Sequence, residues 1–124
     1  MTPERPILDE VVIAGLESFG GDMLAGLVPL YFDQAAGQLS QLGPAIARGE
    51  ALVVRDTAHS LKGSSSTLGA SGVACISSEL EAVAKSGDLS TAAELLGSLR
   101  SRLDETSDAF RDRTNSRSPG SPQR

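Results

Sequence analysis

The amino-acid sequence predicts an all-α protein, an antiparallel up-and-down four-helix bundle with a short additional helix at the N-terminal end. Apolar residues recur at intervals of three and four over four long segments, which is the period of amphipathic helices. Only a few residues separate consecutive segments, and connections that short place neighbouring helices antiparallel. The composition agrees with this fold, because aromatic residues make up 3% of the 124 residues. The apolar content is mostly Ala, Leu, Val and Ile, which suits packed helices better than a sheet.

A chain of this length can build one hydrophobic core but not two. We divide it into a flexible lead-in over residues 1–6, a bundle domain over residues 7–112 and a tail over residues 113–124. The tail is rich in Arg, Ser, Pro, Asn and Gln and has no apolar side chain that could anchor it in a core. A segment of that composition cannot bury surface, so we expect the tail to be disordered.

The first helix is short. Asp9 stands before its apolar stripe as an N-cap, where a carboxylate can accept hydrogen bonds from unpaired N–H groups. Gly20 and Gly21 end this helix, and Asp22 is in position to cap the next one.

The second helix is predicted from about Met23 to Arg48, although Pro29 and Pro44 both lie within it. Pro29 is close enough to the first turn to be tolerated. Pro44 should either kink the helix or end it one turn before Gly49. Because residues 45–48 continue the apolar period, we predict one bent helix.

The third helix is predicted over about Ala51 to Leu68, ended by Gly69, and the fourth opens at Ala70 or Ser71 and runs to about Ser86. The next two residues, a glycine and an aspartate, separate the fourth helix from the last one, for which the aspartate or the serine at position 90 can serve as a cap. The apolar stripe of the last helix consists of Ala92, Leu96, Leu99, Leu103 and Phe110.

The third helix carries His59, the only histidine of the chain. The spacing of the apolar residues in this helix predicts an apolar face and an opposite polar face, and the imidazole lies on the polar face. Lys62 follows His59 by three residues, within reach of the ring. Gly63 follows by four, and a glycine in a helix interior costs about 1 kcal/mol relative to alanine. That cost is explained if a large partner must approach His59 closely. The predicted apolar face comprises Val54, Ala58, Leu61, Ser65 and Leu68, and the polar face Arg55, His59, Lys62, Gly63 and Ser66.

The run from His59 to Ser65, His-Ser-Leu-Lys-Gly-Ser-Ser, with a closing Leu-Gly pair at 68–69, resembles the signature of histidine-containing phosphotransfer (HPt) domains. Residues 7–110 follow the layout of that family. HPt domains are four-helix bundles that carry a phosphoryl group on histidine between the aspartates of receiver domains. The resemblance implies that the chain is a phosphorelay carrier with His59 as phosphoryl acceptor. Its partners would be the receiver domains of response regulators or hybrid histidine kinases.

The neighbours of His59 on the same helix would serve this transfer. Lys62 would stabilise the charge of the phosphate, Gly63 and Ser66 would give the partner clearance, and Arg55 and Ser66 would contact the partner. The resemblance alone implies that two residues of the following helix, Glu81 and Lys85, would flank the histidine. Lys85 would supply a second cation. A carboxylate at Glu81 would repel phosphate, which leaves two roles open for it, orienting the ring or facing solvent.

Other functions find less support in the sequence. The formal net charge of −5 argues against a nucleic-acid-binding protein. The single cysteine, Cys75, offers neither a disulfide framework nor a metal cluster and is interpreted as a structural thiol. The sequence has no phosphate-binding loop for ATP, so we expect that the chain cannot phosphorylate itself. We interpret it as a phosphoryl carrier rather than an enzyme, and we expect it to bind no cofactor or metal of its own. Mg²⁺ and the catalytic aspartate would belong to the receiver.

We expect a monomer in the cytoplasm, since the sequence shows neither an apolar signal core nor a membrane span. Three alternatives stay open. The histidine could be phosphorylated directly by the ATP domain of a kinase, the chain could be a helical adaptor that binds receivers without transfer, or it could be a small hydrolase. The sequence does not reveal which ring nitrogen would be phosphorylated.

Overall fold

The computed structural model describes residues 7–117 of the chain. Over these residues it contains five α-helices and no strand, which confirms the predicted all-α class. The predicted lead-in over residues 1–6 and the end of the predicted tail, residues 118–124, lie outside this range. In chain order, the helices are α1 (Glu10–Glu17), α2 (Gly21–Ala47), α3 (Ala51–Leu68), α4 (Ser71–Ser86) and α5 (Ala92–Arg117).

Four of the helices form a closed ring of contacts around one core. Within the described part of the chain, α3 packs against α2 and α4, and α5 completes the ring by packing against α4 and α2. The short α1 lies across α2 and α3. All five residues of the predicted apolar face of α3 are buried, as are all five of the predicted stripe of α5. The largest fully buried apolar side chains of this core are Ile13, Leu42, Val54, Leu61, Val73, Leu80 and Leu99, together with Phe110 at 2% exposed.

The first two helices begin differently from one another. As predicted, Asp9 caps α1, and its carboxylate accepts hydrogen bonds from the backbone N–H groups of Val11 and Val12 at 3.0 and 3.3 Å. The predicted cap of α2 is wrong. That helix starts at Gly21, and Gly20 is its cap residue with a φ of 116°, where side chains are rarely tolerated. Asp22 consequently lies inside the first turn, where its charge favours the helix dipole.

Both prolines lie within α2, and the helix continues past Pro44 to Ala47. The backbone N–H of Arg48 donates to the carbonyl oxygen of Pro44 at 2.9 Å, so the helical hydrogen bonding is intact on the C-terminal side of the proline. The chain turns at Gly49, which has a φ of 72°. The prediction of a single helix here is confirmed.

Helix α1 and the residues before it cover the connection between α3 and α4. The N–H of Asp9 donates to the carbonyl oxygen of Gly69 at 2.8 Å, and the N–H of Gly72 donates to that of Ile7 at 3.1 Å. Gly69 has a φ of 87°, and a Cβ atom there would lie 2.9 Å from a side-chain carbon of the buried Ile13. A glycine is therefore needed at this turn, which sets how α4 returns along α3.

The sequence predicts a disordered tail from Arg113, whereas helix α5 continues through that residue to Arg117. The guanidinium of Arg113 donates two hydrogen bonds to the carboxylate of Glu17, at 2.9 and 3.0 Å, and one to Glu10 at 2.7 Å. These contacts fasten the last helix to α1. An ionic anchor replaces the apolar one that the sequence lacks in this segment.

Candidate functional site

His59 lies at the middle of α3, with its side chain 67% exposed. The helix turns its apolar face into the core, and the imidazole therefore stands on the outer surface. This position follows from the local sequence, since polar and apolar residues of α3 alternate with the helical period. The ring is available to a partner that approaches along α3.

Glu81 of α4 lies beside the ring and is only 6% exposed. One carboxylate oxygen, Oε2, is 2.9 Å from Nδ1 of His59. The other oxygen, Oε1, is 2.9 Å from Nζ of Lys62. Nζ of Lys85 lies 3.6 Å from Oε2, one helical turn along α4. The structure thus brings together four predicted residues, and Glu81 takes the position beside the ring rather than facing solvent. We refer to His59, Lys62, Glu81 and Lys85 as the histidine cluster.

The charges of the histidine cluster decide where the proton of the ring lies. The hydrogen bond from Lys62 is the main reason that the pKa of Glu81 falls to about 2, with a further contribution from His59 and an opposing one from burial. Glu81 is therefore an ionised carboxylate at neutral pH and can only accept hydrogen bonds. The Nδ1 atom of His59 must be the donor. In the neutral imidazole, the lone pair then resides on the other nitrogen, Nε2.

Two hydrogen bonds hold α3 against α2 behind this surface. The amide of Gln38 donates to the hydroxyl of Ser60 at 3.0 Å, immediately after His59 in the chain. The hydroxyl groups of Tyr31 and Ser65 share a buried hydrogen bond of 2.7 Å. Sequence reasoning missed the role of Gln38. A signal was present, because Gln38 is a polar residue at a core-facing position of the α2 period.

Gly63 lies beside an apolar groove between α2 and α3. A Cβ atom at this position would meet nothing within 4 Å, so the glycine is not required by packing inside the protein. The groove measures about 280 Å³, and its walls include Leu27, Leu30 and Tyr31 of α2. Leu30 is 67% exposed. The open space at Gly63 therefore continues into an exposed apolar surface.

The remaining predicted site residues lie near the histidine cluster but take no part in its ion pairs. Arg55 pairs with its neighbour Asp56 at 2.9 Å, one turn before His59. Ser66 lines a shallow depression between α3 and α4, together with Lys62 and Cys75. Cys75 is partly buried, and its sulfur lies 3.8 Å from the carboxylate of Glu79.

Neither a metal centre nor a membrane span emerges from the described residues. Over residues 7–117, no three side chains of His, Cys, Asp or Glu converge in a way that could hold a metal ion. In the same range, every helix is too short or too polar to cross a bilayer.

Comparison with known proteins finds a matching family model and several similar solved structures. A family model described as the Hpt domain matches residues 26–109. The chain also superposes on the crystal structure of histidine-containing phosphotransfer protein B (HptB) from Pseudomonas aeruginosa PAO1 with a TM-score of 0.79. That match has 32% sequence identity and covers 89% of this chain and 96% of the other. No curated protein matches the chain. The segment matched by the family model contains the whole histidine cluster.

Proposed function

The chain belongs to the Hpt domain family and is a histidine phosphotransfer protein of phosphorelay signalling, and on that premise we propose that His59 is its phosphoryl acceptor. The phosphoryl group would come from the aspartyl phosphate of one receiver domain and pass to the aspartate of another. One observation carries the proposal. Nδ1 of His59 is held at 2.9 Å by the carboxylate of Glu81, which leaves the lone pair on Nε2 of a ring that is 67% exposed.

The chemical step follows from that arrangement. Nε2 attacks the phosphorus, a bond forms between nitrogen and phosphorus, and the bond between phosphorus and the aspartyl oxygen breaks. The aspartate leaves as a carboxylate, and no base is needed because the attacking nitrogen is already unprotonated. Phosphoryl transfer depends chiefly on alignment and on neutralising the negative charge of the transferred group.

Lys62 and Lys85 are the cations that the histidine cluster offers to the phosphoryl oxygens. Both ammonium groups lie within 3.6 Å of Glu81 and therefore close to the ring. Docking of a receiver would cover this surface and strengthen their interaction with phosphate, because water screens charges less in a buried site. A metal ion on the receiver, Mg²⁺ by analogy with the family, would complete the neutralisation. The chain itself would need no cofactor and would not act as a kinase.

The apolar surface around the ring supports docking of a protein partner. The groove at Gly63 includes the exposed Leu30 on one side of His59. Leu52, which is 65% exposed, lies two helical turns before His59 on the same side of α3. A glycine, open space and two exposed leucines around a polar centre are features of a protein interface. We therefore place receiver docking across α2 and α3, with Arg55 and Ser66 at its edge.

We extend the proposal to the topology of the helices, the oligomeric state and the cellular location of the protein. The connections over residues 48–50, 69–70 and 87–91 are short, and α2 to α5 contact one another in a ring. Both features support an antiparallel up-and-down bundle. We further propose that the protein acts as a monomer in the cytoplasm, which sedimentation of the purified chain and fractionation of cells would test.

The decisive experiment is incubation with a phosphorylated receiver domain. A carrier takes up acid-labile phosphate, an adaptor binds without uptake, and a hydrolase removes the phosphate from the receiver without retaining it. Incubation with ATP and a kinase that lacks a receiver domain tests direct phosphorylation. The control is His59→Gln, which should keep the helical circular dichroism signal and lose all uptake. Phosphate uptake by the folded His59→Gln protein would refute the proposal.

A further inference from the structure

Two hydrogen bonds join side chains of α2 and α3 across the interface between these helices. We propose that Gln38, through its bond to Ser60, is a positioning residue that fixes the axial position of α3 along α2 and thereby places His59 relative to the receiver docking surface. The inference rests on the proposed function and deepens it, because it assigns the alignment of the histidine to a residue outside the histidine cluster.

Gln38 occupies a position that favours an apolar side chain. It lies on the core-facing side of α2 and is only 9% exposed. Its amide oxygen is buried and has no hydrogen-bond partner within the described part of the chain. Such an oxygen lowers stability, because it has given up its bonds with water and gained none in return. An apolar side chain of similar length would avoid this cost, so the stability of the fold alone does not explain the glutamine.

The amide nitrogen of Gln38 is directed at the residue that follows His59. It donates to the hydroxyl of Ser60 at 3.0 Å. Ser60 is exposed and could bond to water instead, so its hydroxyl does not depend on Gln38. Apolar contacts are non-directional and tolerate small displacements of one helix along another, whereas a hydrogen bond requires a definite distance and angle. The bond therefore specifies the position of α3 along α2 at the level of His59.

The bond between Tyr31 and Ser65 gives a second fixed point. The two hydroxyl groups are 2.7 Å apart, and both residues are buried. Tyr31 lies two helical turns before Gln38, about 10 Å along the axis of α2. Ser65 lies more than one turn after Ser60, about 7.5 Å along the axis of α3. One point of attachment would let α3 pivot on α2, whereas two separated points fix both its axial position and its angle.

The position of α3 along α2 matters for transfer because the proposed receiver rests on both helices. The groove beside the histidine takes Leu30 from α2 and Gly63 from α3. The ring of His59 belongs to α3, so its distance from a receiver seated on α2 changes when α3 shifts. A displacement of about 1 Å between reacting groups can lower a rate by roughly a hundredfold, and phosphoryl transfer depends chiefly on alignment. Loss of the bond to Ser60 would therefore slow transfer while every docking contact remains.

Gln38→Met tests the inference, because methionine has similar length and helix propensity but no amide. The variant should unfold at a higher urea concentration than the wild type, since the unpaired oxygen is gone. Its maximal rate of transfer from a phosphorylated receiver should fall by about tenfold. The receiver concentration at half-saturation should change little, because the exposed side chains are unaltered. Gln41→Met is the matched control at an exposed position of α2, and it should transfer like the wild type.

Phosphoramidate separates the alignment of the ring from its reactivity. This small donor needs no docking surface, so the wild type and Gln38→Met should take up phosphate on His59 from it at equal rates. Ser60→Ala should slow receiver transfer as Gln38→Met does, and the double variant should be no slower than either, because both substitutions remove the same bond. A direct contact between Ser60 and the receiver would instead make the two effects multiply.

Three results would overturn the inference and leave the proposed function intact. One is a maximal rate of transfer in Gln38→Met equal to that of the wild type. Another is a multiplied effect in the double variant. The third is a Gln38→Met protein that is less stable and reacts more slowly with phosphoramidate as well as with the receiver, which would indicate a merely structural role. If the wild type takes up phosphate from phosphoramidate but from no receiver, the proposed function and the inference are both wrong.

Discussion

Nζ of Lys62 lies 2.9 Å from Oε1 of Glu81. The lysine that the sequence suggested as a phosphate-stabilising cation is therefore already paired with a buried carboxylate in the unphosphorylated protein. A phosphoryl group on His59 would compete with Glu81 for the same ammonium. Since the side chain of Lys62 is 35% exposed, it retains enough freedom to contact both anions.

We expect Lys62→Ala to weaken phosphotransfer without abolishing it. The nucleophile stays in place, but a cation next to the transferred group is lost, and Glu81 loses its main partner. Charge-assisted contacts of this kind contribute about 1.5–3 kcal/mol, which corresponds to roughly ten- to a hundredfold in transfer rate or in phosphohistidine lifetime. Rapid-quench transfer from a phosphorylated receiver would measure the rate, and Lys62→Arg should restore part of it. A wild-type rate and lifetime in Lys62→Ala would show that Lys62 is only a solvated residue of the helix.

Gly63→Gln should make the protein more stable and a poorer partner for receivers. The new side chain would enter open space, so the helix gains up to about 1 kcal/mol from propensity, as judged by urea unfolding. The same side chain would obstruct the docking surface beside His59. Gly97→Gln is the matched control, because Gly97 also has open space around it but lies on α5, which does not contact α3 in the described structure. The control should gain similar stability and bind receivers normally. Normal transfer by a destabilised Gly63→Gln protein would contradict the clearance role.

Most of the fold could be predicted because each helix carries its own signal. The period of apolar residues in α3 and the glycine after Leu68 gave the bounds of that helix without error. The polar face with His59 followed from the same period. The N-cap of α2 was less predictable. The cap residue is Gly20, whose positive φ is not indicated by the apolar period of the helix.

The contacts between helices could not be predicted in the same way. Glu81 is 22 residues from His59, and whether it meets the ring depends on how α4 is rotated against α3. Periodicity fixes the buried face of each helix but not its register to within one turn. Arg113 shows the same limit over a longer distance, because its partners Glu17 and Glu10 precede it by 96 and 103 residues. The segment from Arg113 onward has no apolar residue, so the sequence gave no sign that Arg113 would be held by ion pairs.

We expect Arg113→Gln to loosen α1 from the rest of the bundle. The bidentate contact with Glu17 raises the pKa of Arg113, and Glu10 adds to this effect. Loss of these charge-assisted bonds should cost about 1–2 kcal/mol of unfolding free energy and speed hydrogen exchange in α1. Arg111→Gln serves as the control, because Arg111 makes an exposed pair with Asp108 at 3.2 Å whose loss should cost at most about 0.5 kcal/mol. Equal effects of the two substitutions would contradict an anchoring role for Arg113.

We expect the free energy of unfolding to decrease at acidic pH because of Glu81. Its pKa is about 2 in the folded protein, mainly because of the hydrogen bond from Lys62, against an ordinary value of 4.5. A carboxyl with a lowered folded-state pKa contributes stability above its unfolded pKa, and this contribution disappears as the pH falls from about 4.5 towards 2. The full contribution is up to about 3 kcal/mol at neutral pH.

The measurement is urea unfolding of the wild type, Glu81→Gln and Glu79→Gln at neutral pH and at about pH 3. Carboxyl groups elsewhere in the chain titrate in all three proteins and cancel from the differences. We expect the stability advantage of the wild type over Glu81→Gln to be largest at neutral pH and to shrink by more than half in acid. The difference between the wild type and Glu79→Gln should change little, because Glu79 is exposed. An advantage over Glu81→Gln that is the same at both pH values would mean that the ionised carboxylate does not stabilise the fold, and the ion pairs with Lys62 and Lys85 would then serve phosphotransfer alone.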